Sequence, residues 1–172
     1  MTGTKMRLGF FLCAVLCLPV LVEAKDGEVV ADLTARKVVA SPAGKELLES
    51  AETARPGDVI EYRATYTNQG TGTVRNLEGT LPIPSWTEYL PGTASPAAAR
   101  ASIDGKLYGP IPLKRKVNYS DGRQEIVDIP WAEYRFVRWN LGELAPAAKA
   151  EGVLRVRVMT SSHSVAPEKS AK

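Results

Sequence analysis

Cysteine is nearly absent from this 172-residue chain: the two that occur, Cys13 and Cys17, both lie in one apolar stretch near the N-terminus. Histidine occurs once, as His163. Neither sign of charge dominates, with 22 Lys and Arg against 19 Asp and Glu. The N-terminal apolar run, Leu8 to Val22, falls short of the roughly 20 residues that cross a bilayer core, and Pro19 sits inside it. Each shortage excludes something. Without thiols beyond residue 17 there is neither a disulfide framework nor a thiolate metal site. A Ser-His-Asp hydrolase needs a histidine as proton shuttle, and the single one falls in a polar C-terminal stretch between Ser162 and Ser164. A nearly balanced charge implies no nucleic-acid partner. The one dense basic triplet, Lys114, Arg115 and Lys116, has no interleaved aromatic residue and reads as a solvated strand face or loop.

What the N-terminus does have is the layout of an export signal. Lys5 and Arg7 precede the apolar run, and Val22 and Ala24 occupy the small-residue positions of a cleavage site. Cleavage is predicted after Ala24. A lipid-modified cysteine is disfavoured because Leu12 and Leu16 precede the two thiols, where resemblance to a bacterial lipobox would want Gly, Ala or Ser. Removing 24 of the 172 residues leaves 148 without cysteine, carrying 20 cations against 18 acids. A chain of that size buries roughly 68–70% of its unfolded surface, enough for one domain without covalent staples. The expected localisation is periplasmic or secreted, with no stable membrane span after cleavage.

The rest of the chain reads as strands. Between Val59 and Asn68, Ile60, Tyr62, Ala64 and Tyr66 share one parity while Glu61, Arg63, Thr65 and Thr67 share the other, the period-2 pattern of a half-buried strand with a polar outer face. Leu154, Val156 and Val158 alternate with Arg155 and Arg157 in the same way. Tyr134 to Trp139 is an aromatic-rich strand closed by Asn140 and Gly142, and Val74 to Leu81 is closed by Pro82 and Pro84, which cannot donate to a central ladder. Val29 to Val39, Glu88 to Leu90, Leu113 to Tyr119 and Glu125 to Ile129 are further candidates. Asp104-Gly105 and Asp121-Gly122 are hairpin signals; as calcium loops they lack alternate oxygen ligands and a closing glutamate. Residues 45–54 remain open between a short helix and a strand. The expectation is an all-β, antiparallel sandwich spanning 25–160, of about seven to nine strands, with an inserted hairpin region near residues 94–133 and a loose tail over 161–172.

One ordered set of residues resembles a known family. Pro56, Gly57, Asp58, Tyr62, Thr67, Asn68, Gly70, Asn76, Pro84, Tyr89 and Gly92, with Trp139, Asn140, Leu141, Gly142, Glu143 and Leu144 as a closing half, are similar to the conserved-repeat domain of unknown function found in bacterial cell-surface and secreted proteins. Leu81 departs from that pattern where the family often has aspartate, so no polar role is carried over there. The resemblance implies an immunoglobulin-like β-sandwich in single copy, no reaction, and an envelope or surface protein as partner. Folding roles suit the matched residues: Gly57 and Gly70 for turn dihedrals, Asn68 for bonds to turn backbone, Tyr62 for buried area with a polar tip.

No catalytic, cofactor or metal residues are expected. A carboxylate pair such as Asp128 with Glu133 suits glycoside cleavage, yet such pairs arise freely among 18 acids. A glycan- or peptidoglycan-binding module is the alternative, with Trp86 and Trp131, each beside a proline, as the ligand-contacting aromatics; Trp139 is expected in the core.

Overall fold

A computed structural model describes residues 29–41 and 44–160. The export signal, the tail and His163 lie outside the described residues. Eleven strands run in chain order among them: β1 Val29–Ala40, β2 Glu46–Ser50, β3 Val59–Asn68, β4 Val74–Pro82, β5 Thr87–Tyr89, β6 Ala99–Ser102, β7 Gly109–Pro110, β8 Lys114–Asn118, β9 Gln124–Asp128, β10 Phe136–Leu144 and β11 Lys149–Val158. Two single 3-10 turns, Ala51–Thr53 and Trp131–Glu133, are the only helical elements described.

The strands form a five-stranded sheet ordered β2-β1-β3-β11-β5, a four-stranded sheet ordered β4-β10-β6-β7, and a separate β8-β9 hairpin, and every pairing is antiparallel. The fold is all-β and not a closed barrel. The two larger sheets face each other. Ile60, Ala64, Tyr66, Leu154 and Val156 come from the five-stranded sheet, and Leu81, Ala101, Val137, Trp139 and Leu144 from the four-stranded one; all are buried in one core.

Two glycines set how closely the sheets approach. A Cβ on Gly152 of β11 would stand 2.7 Å from the Trp139 ring, and one on Gly79 of β4 would stand 2.7 Å from the Tyr66 ring. Each sheet therefore supplies one large aromatic and one bare backbone site to receive the other's. Trp139 is held in place by a 2.8 Å hydrogen bond from its Nε1–H to the Pro96 carbonyl, which removes the cost of burying an indole N–H unpaired.

Several sequence expectations needed adjustment. The polar face of β3 is not wholly in water: Glu61 is 7% exposed, because its carboxylate is roofed by Arg63 and Arg155. β10 does not close at Asn140. It runs on to Leu144 through two irregularities in its register with β4, where Asn76 adopts φ 54° and Gly142 φ 74°. Asn tolerates the left-handed region better than most residues because its short amide bonds locally. Gly70 is not among the positive-φ glycines; it serves through its N–H, which donates to Asn68 Oδ1. Residues 45–54 are neither helix nor strand throughout, but strand β2 followed by a 3-10 turn capped by Ser50, whose hydroxyl oxygen accepts from the Glu52 N–H.

Candidate functional site

The matched motif residues converge on turns rather than on a cleft. Asn68 is fully buried and uses its whole amide: Nδ2 donates to the carbonyls of Gly72 and Leu144, each at 2.8 Å, while Oδ1 accepts from Gly70. It thereby ties the β3-β4 turn to the end of β10. Asp58 accepts from the Arg55 N–H at 2.9 Å and pairs with Lys37 at 3.5 Å; the backbone bond, helped by Lys37, holds its carboxyl below the usual range. The Pro84 carbonyl accepts from both the N–H and the Oγ1 of Thr87, closing the turn into β5, and Gly57 and Gly92 take φ 93° and 76°. Tyr62 is half-buried and burial raises its hydroxyl pKa. No chemistry gathers at these residues.

Tyr89 ends β5 and is buried, stacked on Tyr134 at 5.7 Å between ring centroids. Trp131 differs from the open platform expected of it. The 3-10 turn that starts there lays its ring against both tyrosines, at 5.8 Å from Tyr89 and 5.0 Å from Tyr134, so the indole is half-buried. Trp86 does stand in solvent, 78% exposed.

Residues 99–128 form two hairpins, β6-β7 at the edge of the four-stranded sheet and β8-β9 apart from it. Asp104 turns β6 into β7: its Oδ1 accepts from the N–H groups of Lys106 and Leu107, which hold its carboxyl below the usual range. Asp121 and Gly122 turn β8 into β9. Tyr134 fastens the second hairpin to the body through a 2.6 Å bond from the Leu113 N–H to its hydroxyl. Asp128 and Glu133, a carboxylate pair by sequence, are occupied by neighbours: Lys114 pairs with Asp128 at 3.7 Å, and Arg115 grips Glu133 with both terminal nitrogens. That arrangement ties the β8-β9 hairpin to the turn at Trp131–Glu133.

Between the two hairpins lies a cleft of about 280 Å³ lined chiefly by Ile103, Leu107, Leu113 and Ile129, with Tyr108 and Lys114 at its sides. Leu107 is 81% exposed there. In the β8-β9 register Lys116 faces Ile126 and Lys114 faces Asp128, so by strand alternation Ile126, 69% exposed, shares the hairpin face that carries Lys114. A second, smaller cavity of about 190 Å³ opens at the β5 edge, lined by Gly57, Glu88, Ala132, Arg157, Val158, Met159 and Thr160. Neither cavity was legible as a site from sequence. Leu107 and Ile126 carry no motif, and their exposure follows from how the hairpins pack.

Elsewhere the outer face of the five-stranded sheet carries a charge chain. Arg155 holds Glu46 with both terminal nitrogens, at 3.0 and 2.8 Å, and its Nε donates to Glu61 at 3.1 Å; Arg63 bridges Glu61 and Glu151. Hydrogen bonding to Arg155 lowers the Glu46 pKa. Among the described residues no group of three His, Cys, Asp or Glu is placed to hold a metal ion, and no helix is long and apolar enough to cross a membrane. Comparison with family models, with curated proteins and with solved structures finds no match for this chain.

Proposed function

We propose that this chain is an exported, non-catalytic module of immunoglobulin-like β-sandwich type, a single relative of the conserved-repeat domain of bacterial surface proteins, and that it binds a protein of the cell envelope. The apolar cleft between the inserted hairpins carries the reading. Ile103 and Leu107 are 43% and 81% exposed in that cleft, Ile126 is 69% exposed on the hairpin face that carries Lys114, and apolar groups gathered on a surface and rimmed by charge mark association sites. The rim here is Lys114 and Asp104, which would orient a partner without supplying the main burial. The N-terminal signal layout supports an address outside the cytoplasm, and the ordered Pro56 to Leu144 motif set supports the family.

The test is the double variant Leu107→Ser, Ile126→Ser. Both side chains are exposed, so stability should stay within about 0.5 kcal/mol of the parent. A complex recovered by crosslinking in intact cells should disappear. Loss of the fold's stability, or an unchanged complex, would contradict the assignment.

A further inference from the structure

With the apolar cleft taken as the protein-binding surface proposed above, we infer that the segment it receives is acidic, its carboxylates meeting Lys106 on one hairpin and Lys116 on the other.

The charges of the two hairpins carry this. Residues 99–128 hold six cations and four acids. Each acid is already engaged locally. Asp104 accepts from the Ser102 hydroxyl and two backbone N–H groups, Asp121 from Arg123, and Glu125 from the Tyr119 hydroxyl, while Asp128 pairs with Lys114. Arg115 is taken by Glu133, and Arg100 donates to the Tyr108 carbonyl. Lys106 and Lys116 are left over. Both are exposed, and their side chains form no ion pair or hydrogen bond with any described residue.

Their places relate them to the cleft. Lys106 immediately precedes Leu107, which lines it from the β6-β7 side. Lys116 lies directly opposite Ile126 in the β8-β9 ladder, and strand alternation puts it on the same hairpin face as Lys114, a lining residue. A segment that seats apolar side chains between the hairpins therefore brings its flanking residues beside one unmatched ammonium group on each. Cations there would meet like charge, which disfavours a basic partner; carboxylates would meet a free donor on either side. The shape favours a protein over a bilayer. About 280 Å³ of space walled by Ile103, Leu107, Leu113 and Ile129 receives side chains, whereas binding to a bilayer surface needs an apolar face that sinks into the acyl boundary.

The experiment places a photo-crosslinking amino acid at position 126 of the full chain in intact cells, alone and together with Lys106→Glu and Lys116→Glu. Both lysines are exposed and unpaired, so the purified double variant should melt at the parent's temperature. Expected is an adduct from the parent background whose crosslinked peptide, identified by mass spectrometry, holds more Asp and Glu than Lys and Arg. Its yield should fall about tenfold on charge reversal and be kept by Lys106→Arg with Lys116→Arg. An adduct unchanged by the reversal, or a neutral or basic crosslinked peptide, would overturn this inference alone. No adduct in any background would overturn it together with the assignment of the cleft. Binding of the purified protein to phosphatidylglycerol–phosphatidylethanolamine vesicles that is lost on the same reversal would assign the two lysines to a lipid surface, and overturn it as well.

Discussion

Replacing Gly152 by alanine adds one methyl group at the point where the sheets meet. In an ordinary strand that change is mildly favourable, by about 0.5–1 kcal/mol, since glycine loses more backbone freedom on folding. Here the new Cβ would stand 2.7 and 2.8 Å from two carbons of the Trp139 ring and 3.2 Å from a third. Trp139 has little room to yield. It is 1% exposed and pinned by the bond to Pro96. Overpacking of this kind costs about 1–3 kcal/mol, which outweighs the backbone gain. Unfolding in urea should show a lower midpoint with an unchanged slope, and the melting temperature should fall by about 3–8 °C. Trp139→Phe removes the two nearest ring carbons, so Gly152→Ala in that background should cost less, with a coupling of about 1 kcal/mol. A Gly152→Ala protein as stable as the parent, or additive effects in the double variant, would refute the proposed sheet-to-sheet contact.

Other substitutions probe the turns and the charge chain. Asn68→Ala deletes three hydrogen bonds from a fully buried amide and should cost about 2–4 kcal/mol by denaturant titration, more than any exposed turn residue. Tyr134→Phe strands the Leu113 N–H and should lower stability by about 1–2 kcal/mol while raising hydrogen exchange selectively in β8 and β9. Asp104 has a depressed folded pKa, so its contribution is present above its unfolded pKa near 3.8 and fades as pH falls through the lower folded value; Asp104→Asn should flatten the acid limb of the melting curve. Arg155→Met leaves buried Glu61 with only Arg63 and should cost about 1–3 kcal/mol, persisting in high salt because Glu61 is shielded from ions.

The strands visible in the sequence are those whose period is written in their own residues. β3 has its observed limits, Val59 and Asn68, because four apolar side chains alternate with four polar ones and turns flank both ends. β8 and β9 lie within one residue of expectation, framed by Asp121-Gly122. The turn between β6 and β7 is marked by Asp104-Gly105, but the strands themselves are not: β6 is Ala-Arg-Ala-Ser, and Ala101 and Ser102 are buried by what folds over them rather than by hydrophobic alternation. β7 is two residues ending in proline.

The site residues divide along the same line. Trp86 keeps the exposure its proline-flanked position suggests, whereas Trp131 shares that local context and is drawn inward by Tyr89 and Tyr134, residues distant in sequence or turned by the 3-10 segment. Glu61 reads as a solvent residue until the β3-β11 register sets it opposite Arg155. The apolar cleft is invisible along the chain because its walls, Ile103 and Leu107 against Leu113 and Ile129, come from two hairpins.

The proposed function requires that cleft to be covered by another protein. A photo-crosslinking amino acid at position 107, compared with one at position 75, asks this directly: Leu107 lines the cleft, while Arg75 is an exposed residue of β4 that pairs with Glu143. In intact cells a discrete adduct is expected from position 107 and none from position 75. No adduct at either position, or the same adducts at both, would contradict the proposed function.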